Sequence, residues 1–175
     1  MKTYITLLRA VNVSGVNKIK MKDLAELFQG LGFQNVRTYI QSGNVVFETR
    51  SSKISELDKK IEEEIQKVFK LNISSITLEK KDLEKIIQSN PFRKKEEKAL
   101  YVMFMKEAPS IDLKEVLDPV KDKSEEYILS GKYLYLYFPN GYGKTKLSNP
   151  FIERKLKVIA TTRNWNTLNA LVLFP

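Results

Sequence analysis

The sequence predicts an α+β protein of two ferredoxin-like halves packed together, each with the order β-α-β-β-α-β. Two observations predict this class. Apolar side chains switch between the alternating spacing of strands and the three-to-four-residue spacing of helices, in the same order twice along the chain. In each half, a Ser-Gly pair (Ser42-Gly43 and Ser130-Gly131) separates two neighbouring strands, as in a tight hairpin. The 175 residues, 42% of them hydrophobic, are enough to bury a core.

The first half carries four predicted strands and three predicted helices. The strands are Thr3–Val13, Val36–Gln41, Asn44–Thr49 and Ser74–Glu79. The apolar stripe over Met21–Leu31 predicts the first helix. Ser51-Ser52 open a second helix, and a short third helix closes at Asn90-Pro91, because proline disfavours a helical residue before it.

The second half repeats this rhythm, which suggests an internal duplication. Its predicted strands are Ala99–Lys106, Glu125–Leu129, Lys132–Phe138 and Ile159–Thr162. Its helices are Ile111–Leu117, one that begins at Asn149-Pro150, and a last one whose apolar stripe runs from Trp165 to Leu171. The predicted domains are therefore an N-terminal half (residues 1–92), a charged linker (residues 93–98) and a C-terminal half (residues 99–175).

The excess positive charge lies at the two ends of the chain. Residues 1–50 carry seven Lys/Arg against three acids, and residues 140–175 carry six against one. Residues 51–139 hold seventeen of each sign, so the two ends account for the whole net charge of +9. Because the same ends hold most of the polar loops, we expect them to form one surface that attracts anions.

The chain contains no histidine and no cysteine. The commonest general base near neutral pH, thiolate nucleophiles and the usual zinc ligands are therefore absent. An enzyme that uses Mg²⁺ or carboxylates remains an alternative, although the basic ends offer few acids. No metal site and no cofactor can be named, and nothing indicates an oligomeric state. No apolar run reaches the roughly 20 residues that span a bilayer, so we expect a cytoplasmic protein with no membrane partner.

A small anionic or phosphorylated ligand is the partner that this charge distribution predicts, held in a basic cleft formed by both chain ends. The cations assigned to it are Arg9, Lys144 and Arg163, with Lys18 as a further contact. The polar side chains assigned to it are Asn12, Gln41, Ser42, Asn44, Asn164 and Asn166. Other interpretations stay open, because turn side chains often bond their own backbone, Arg9 could join an ion pair, and Asn164 could cap the last helix.

Lys144 lies in a Gly-Lys-Thr sequence that resembles the end of a nucleotide-binding P-loop. That motif requires another glycine five positions before Gly143, where this chain has Phe138, and a helix that begins at once. The sequence therefore argues against a nucleoside-triphosphate loop, and leaves a looser phosphate contact through Lys144.

Single-stranded nucleic acid is the alternative partner. The predicted strand Lys132–Phe138 places Tyr133, Tyr135 and Tyr137 on one face, and RNA-recognition sheets stack bases on aromatic side chains. The same pattern also describes a face that packs inside the protein. The nucleic-acid interpretation is weaker, because residues 44–47 lack the aromatic pattern of such modules.

The chain resembles a family of uncharacterised bacterial proteins, a domain of unknown function of about this length. The segments that carry the resemblance are Leu7–Gly15, Asn17–Met21, Gly32–Phe47, Asn90–Phe92, Gly141–Leu147 and Thr162–Thr167. They include the sequences TYIQSGNVVF and TRNWNT. The family pattern usually has glycine where Ala10 and Ser14 stand, so we expect a stiffer first loop here. The resemblance implies the two-part α+β fold and no activity.

Overall fold

A four-stranded antiparallel sheet lies at the centre of each half of the chain. The computed structural model describes residues 1–51 and 53–175. The chain folds as two units: residues 1–86 together with 170–175, and residues 87–169.

The first unit contains the first seven elements of the chain, the last of which ends just beyond it. They are β1 (Lys2–Leu8), α1 (Met21–Gly30), β2 (Gln34–Tyr39), β3 (Asn44–Thr49), α2 (Ile54–Phe69), β4 (Ser75–Glu79) and α3 (Lys80–Gln88). The sheet order is β2-β3-β1-β4. Ser52, predicted with Ser51 to open the second helix, lies outside the described residues.

The second unit repeats this order. A short 3-10 turn at Glu97–Ala99 precedes β5 (Leu100–Met105), α4 (Leu113–Leu117), β6 (Glu126–Ser130), β7 (Tyr133–Tyr137), α5 (Asn149–Leu156), β8 (Ala160–Asn164) and α6 (Trp165–Leu173). The end of α6, from residue 170 on, belongs to the first unit. Its sheet order, β6-β7-β5-β8, matches the first unit strand for strand. The predicted α+β class with two ferredoxin-like units is therefore confirmed.

In each unit, two helices pack on one face of the sheet: α1 and α2 in the first unit, and α4 and α5 in the second. In the first unit, Phe28 of α1 and Ile61 of α2 are buried against Phe47 of β3. In the second unit, Ile152 of α5 is buried with Met103 and Leu134 of the sheet. The opposite sheet faces are also buried, through Ile5 and Leu7 in β1 and Val102 and Phe104 in β5. The central strand β5 (LYVMFM) therefore carries a continuous apolar run, and the buried part of β1 carries one that only Thr6 interrupts.

The first strand is shorter than the sequence predicts. The apolar pattern predicts Thr3–Val13, whereas β1 ends at Leu8. Ala10 and Asn12 adopt positive φ angles of 55°, which turn the chain out of the extended conformation. Val11 lies in the loop that follows β1, but its side chain is buried in the hydrophobic core.

The unit boundaries also differ from the predicted ones. The predicted N-terminal half includes Phe92 and the predicted linker includes Lys95, but both residues belong to the second unit. There the ammonium group of Lys95 lies 4.3 Å from the ring centre of Tyr137 and pairs with Glu126, and the Phe92 and Tyr137 rings are 6.2 Å apart. Residues 170–175 belong to the first unit, where the Phe174 ring meets Tyr39 edge-on at 6.0 Å.

Candidate functional site

Two loops of the first unit carry five of the predicted ligand residues. The basic loop, residues 9–20, follows β1, and the amide turn, residues 39–44, runs from the end of β2 to the start of β3. The side-chain amide of Asn12 donates a hydrogen bond of 2.8 Å to the carbonyl oxygen of Gln41. The Leu8 N–H donates to the carbonyl oxygen of Gly43 at 2.9 Å. These bonds hold the two loops side by side at one end of the sheet.

Asparagine side chains fold the basic loop back on itself. Asn12 Oδ1 accepts from the Ile19 N–H and Asn12 Nδ2 donates to the Ile19 carbonyl, both at 2.9 Å. Asn17 Nδ2 donates to the Ala10 carbonyl at 3.0 Å. The loop needs this support, because Ala10, Asn12, Ser14 and Asn17 all have positive φ angles, between 49° and 55°. That conformation costs a residue with a Cβ about 1–2 kcal/mol, less for asparagine.

The amide turn is held by its own side chains. Asn44 is buried, and its Nδ2 donates to the Tyr39 carbonyl at 3.1 Å and to Ser42 Oγ at 2.8 Å. The turn thus follows the interpretation in which polar side chains satisfy their own backbone. Gln41 is exposed, so its side-chain amide faces solvent.

Cations line the basic loop and acids are absent from it. Arg9 is half-buried at its start, and Lys18 and Lys20 are exposed. Within residues 1–51 and 53–175, neither lysine makes an ion pair. The Lys18 stem passes over Gly15, with Cε 3.6 Å from the position that a Cβ would take.

The loops also expose three β-branched apolar side chains that sequence reasoning did not assign to a site. Val13 is 54% exposed, Val16 is 58% exposed and Ile40 is 51% exposed. Val13 and Val16 face each other across an isolated antiparallel bridge. Ile40 has a φ of 48°, a conformation that is a genuine outlier for a β-branched residue. The signal that could have indicated the valines is the Val-Ser-Gly-Val sequence, which places them on either side of a tight turn.

The predicted ligand residue Lys144 and its neighbour Lys146 lie in the second unit. Lys144 and Lys146 are exposed on the loop between β7 and α5, and no ion pair involves them among the residues that the structure describes. The Lys144 N–H donates to the Gly141 carbonyl at 3.2 Å. The helix that follows begins only at Asn149, where Ser148 accepts from the Phe151 N–H as its N-cap. The Gly-Lys-Thr sequence therefore does not run directly into a helix N-terminus.

Arg163 lies buried on β8, 9% exposed. One guanidinium nitrogen donates to Thr161 Oγ1 at 2.6 Å and to the Thr162 carbonyl at 3.0 Å. Burial lowers the pKa of Arg163 to about 10, because desolvation disfavours its charged form. Two other predicted residues flank the start of α6: Asn164 Oδ1 caps the helix by accepting from the Thr167 N–H at 2.8 Å, and Asn166 is exposed.

The tyrosine face is buried at its centre. Tyr135 pairs in register with Val102, which pairs on its other side with Arg163, so these three residues share one sheet face. Tyr135 is 3% exposed, and burial raises the pKa of its hydroxyl. Tyr133 and Tyr137 are half-buried against other rings. Base stacking needs an open ring face, and the buried Tyr135 offers none. Nucleic-acid binding through Tyr133 and Tyr137 stays a prediction.

Two further observations concern metals and membranes. In the described ranges, 1–51 and 53–175, no three acidic side chains converge as they would around a metal ion. The helices in the same ranges are all too short or too polar to cross a bilayer.

The predicted ligand residues thus fall into two groups. Arg9, Asn12, Gln41, Ser42 and Asn44 lie together at one end of the first sheet, and Lys144, Arg163, Asn164 and Asn166 lie in the second unit. Most of the side-chain amides among these residues make hydrogen bonds within the protein. Asn12, Asn44 and Asn164 bond to backbone or neighbouring side-chain atoms. A side-chain amide has the same appearance in the sequence whether it binds a loop or a ligand.

Comparison with known proteins gives a family and a fold. A family model described as "Protein of unknown function (DUF1697)" matches residues 1–135. Among solved structures, the conserved bacterial protein SP0830 from Streptococcus pneumoniae is similar, with 23% identity and a TM-score of 0.74. The match covers 99% of this chain and 98% of that chain. No curated protein matches this sequence.

Proposed function

The chain belongs to the family described as Protein of unknown function (DUF1697), and we propose that it binds small phosphate-bearing anions through the basic loop of its first unit. The membership confirms the resemblance seen in the sequence, and it brings no activity with it. The proposal therefore depends on the chemistry of this chain's own residues.

The observation that carries the proposal is a loop that holds three cations, has no acid of its own and gives its lysines no acid partner. Several lysines elsewhere pair with acids, for example Lys53 with Glu56 at 2.9 Å, whereas others, such as Lys70, do not among the described residues. Lys18 and Lys20 pair with none of the described acids. A loop that holds several cations and no acid has a positive local potential, so the basic loop favours anion binding.

Preorganisation of the loop supports the same proposal. The Asn12 and Asn17 hydrogen bonds fix the backbone before a ligand arrives, so little conformational entropy is lost on binding. In this scheme Arg9, Lys18 and Lys20 attract the anion, and the Gln41 side chain can donate to one of its oxygens. Asn12, Ser42 and Asn44 are positioning residues that keep the two loops together.

Lys144, Arg163, Asn164 and Asn166 stay predictions for a ligand in the second unit. Of these, Lys144 and Asn166 are exposed, whereas the Arg163 guanidinium is buried and Asn164 caps α6. The cytoplasmic location also stays a prediction.

Titration of the chain with pyrophosphate at low salt, measured by isothermal titration calorimetry, tests the proposed function. We expect saturable binding that weakens as salt rises, because exposed charges are screened. The double variant Lys18→Gln/Lys20→Gln should lose roughly tenfold in affinity, since each exposed charge-assisted contact contributes about 1 kcal/mol or less.

The matched control is the double variant Lys59→Gln/Lys67→Gln, which removes the same charge from α2. Both lysines pair with acids on that helix, at 3.8 Å and 3.3 Å. Its pyrophosphate affinity should stay within about twofold of the unaltered chain. Equal losses in both double variants would mean that only net charge matters, and would refute a site at the basic loop.

A further inference from the structure

We propose that the basic loop and the amide turn dock onto a bilayer of anionic phospholipid, with Val13, Val16 and Ile40 entering its interface. The inference rests on the proposed function, because the lipid phosphate is the anion that the loop cations bind. It departs from the sequence-based expectation of no membrane partner, which considered spanning segments only.

The first observation is that three aliphatic side chains on the two loops are exposed to solvent. Val13, Val16 and Ile40 are each more than half exposed, and all three lie on the two joined loops. Such side chains contribute nothing to free anion binding, whereas transfer to a lipid interface removes their apolar surface from water. The only other β-branched residue exposed to this degree among those described is Val68, which lies alone on α2.

Charge complementarity identifies the occupant. Arg9, Lys18 and Lys20 lie on the same loop as the valines, and that loop contains no acid. An anionic leaflet attracts each basic side chain near its surface by roughly a fivefold gain in affinity. A single-stranded nucleic acid would also favour the cations, but it stacks on exposed aromatic rings, and the exposed apolar side chains here are aliphatic.

The conformation of Ile40 is the third observation. A β-branched residue with a φ of 48° destabilises the fold, and Asn or Gly would hold that conformation more easily. An exposed isoleucine at such a position gains little from the core in return, since half of its surface meets water. Insertion into the apolar part of a bilayer interface would bury the exposed half of the Ile40 side chain and offset this cost.

Co-sedimentation of the full chain with vesicles tests the inference. The probes are vesicles of one part phosphatidylserine to two parts phosphatidylcholine, and vesicles of phosphatidylcholine alone. We expect binding to the anionic vesicles and little to the neutral ones. Val13→Ser/Val16→Ser should lower the partition coefficient by roughly tenfold, and the equally exposed control Val68→Ser should leave it unchanged.

The variant Ile40→Asn separates docking from folding. It should raise the unfolding midpoint, because asparagine tolerates a positive φ, and it should also weaken vesicle binding by roughly fivefold. A more stable protein that binds membranes less well cannot be explained by misfolding. Vesicle binding that is unaffected by both the valine and the Ile40 variants would overturn the proposed insertion.

Two further comparisons show whether the bound anion is a lipid phosphate, a free phosphate or another polyanion. If the chain binds pyrophosphate but not vesicles, the membrane inference is wrong and the proposed function stands. If it binds neither, the membrane inference and the proposed function are both wrong. A single-stranded oligonucleotide or polyglutamate that binds with the same sensitivity to Val13→Ser/Val16→Ser would show that another polyanion is the partner, and would overturn the membrane assignment.

Discussion

Gly43 is where the amide turn comes closest to the first strand. A Cβ built on Gly43 would lie 2.9 Å from the Cβ of Leu8 and 3.0 Å from that of Val11, and its φ is 73°. Gly43→Ala therefore combines a conformational penalty of about 1 kcal/mol with overpacking of about 1–3 kcal/mol. We expect a loss of about 3 kcal/mol in the free energy of unfolding, measured by urea denaturation.

Gly131 supplies the control for Gly43. It occupies the equivalent hairpin of the second unit with a φ of 61°, but nothing lies within 4 Å of its added Cβ. Gly131→Ala should therefore lose only about 1 kcal/mol, from the backbone conformation alone. Equal losses at the two glycines would show that the close approach of the two loops is unimportant for stability.

Ala10 and Ser14 hold backbone conformations that suit glycine. Their φ angles are 55° and 50°, in a region that glycine adopts without steric cost. Relief of about 1–2 kcal/mol of left-handed strain is partly offset by the extra chain entropy of glycine, about 0.5–1 kcal/mol. Ala10→Gly and Ser14→Gly should each raise the free energy of unfolding by about 0.5 kcal/mol.

The control for these variants is Ala25→Gly, inside α1. The same substitution there should destabilise the protein by about 1 kcal/mol, because glycine is a poor helix former. Chemical denaturation of the three variants checks the sign. Destabilisation by Ala10→Gly would contradict the strained conformation of the basic loop.

At the scale of elements, Glu79 joins the ends of β1 and α3 in the first unit. Its carboxylate accepts hydrogen bonds from Lys2 and from Lys81, both at 2.7 Å. These bonds hold the pKa of Glu79 below its ordinary value of 4.5. A carboxyl whose pKa falls on folding stabilises the native state above its unfolded pKa, and this stabilisation is lost as pH falls through the folded pKa.

Glu79→Gln should therefore be less stable than the unaltered chain at neutral pH, and the difference should vanish in acid. Urea unfolding from pH 7 into the acid range checks this, with the curves converging as pH falls through the lowered pKa of Glu79. The control Glu63→Gln removes a carboxyl from the exposed Lys59 pair on α2, where the side chains are 76% and 68% exposed. Its stability should follow the unaltered chain at every pH. A constant deficit for Glu79→Gln across the range would contradict the pKa argument.

The elements could be predicted from the sequence wherever apolar spacing was unbroken. The spacing predicts β3 at its observed bounds, Asn44–Thr49, and predicts the other strands and helices with small differences in their ends. The end of β1 could not be predicted, because Ala10 and Asn12 take left-handed conformations that are normally signalled by glycine. The apolar pattern continued to Val13, although Val11 and Val13 are in a loop.

At the scale of the molecule, the charge partition points to two loops near the chain ends, whose lysines, such as Lys18 and Lys144, have no acid partner among the described residues. Ion pairing as such does not follow the partition. Lys2 at the N-terminal end pairs with Glu79 and Lys85 in the middle pairs with Asp82, whereas Lys70 in the middle has no acid partner among the same residues. Counting charges therefore located the candidate loops. It could not predict which amides were already used, since that depends on backbone geometry around Asn12 and Asn44.

Thermal unfolding can show which basic end binds the anion. If pyrophosphate binds the folded chain at a hundred times its Kd, it stabilises the native state by about 2.7 kcal/mol, or roughly 5–11 °C for a protein of this size. Lys18→Gln/Lys20→Gln should remove most of that shift, whereas Lys144→Gln/Lys146→Gln should retain it. Both double variants remove two lysines that have no acid partner in residues 1–51 and 53–175, so they are matched in charge. A shift that is lost only with Lys144→Gln/Lys146→Gln would transfer the site to the glycine-containing loop of the second unit.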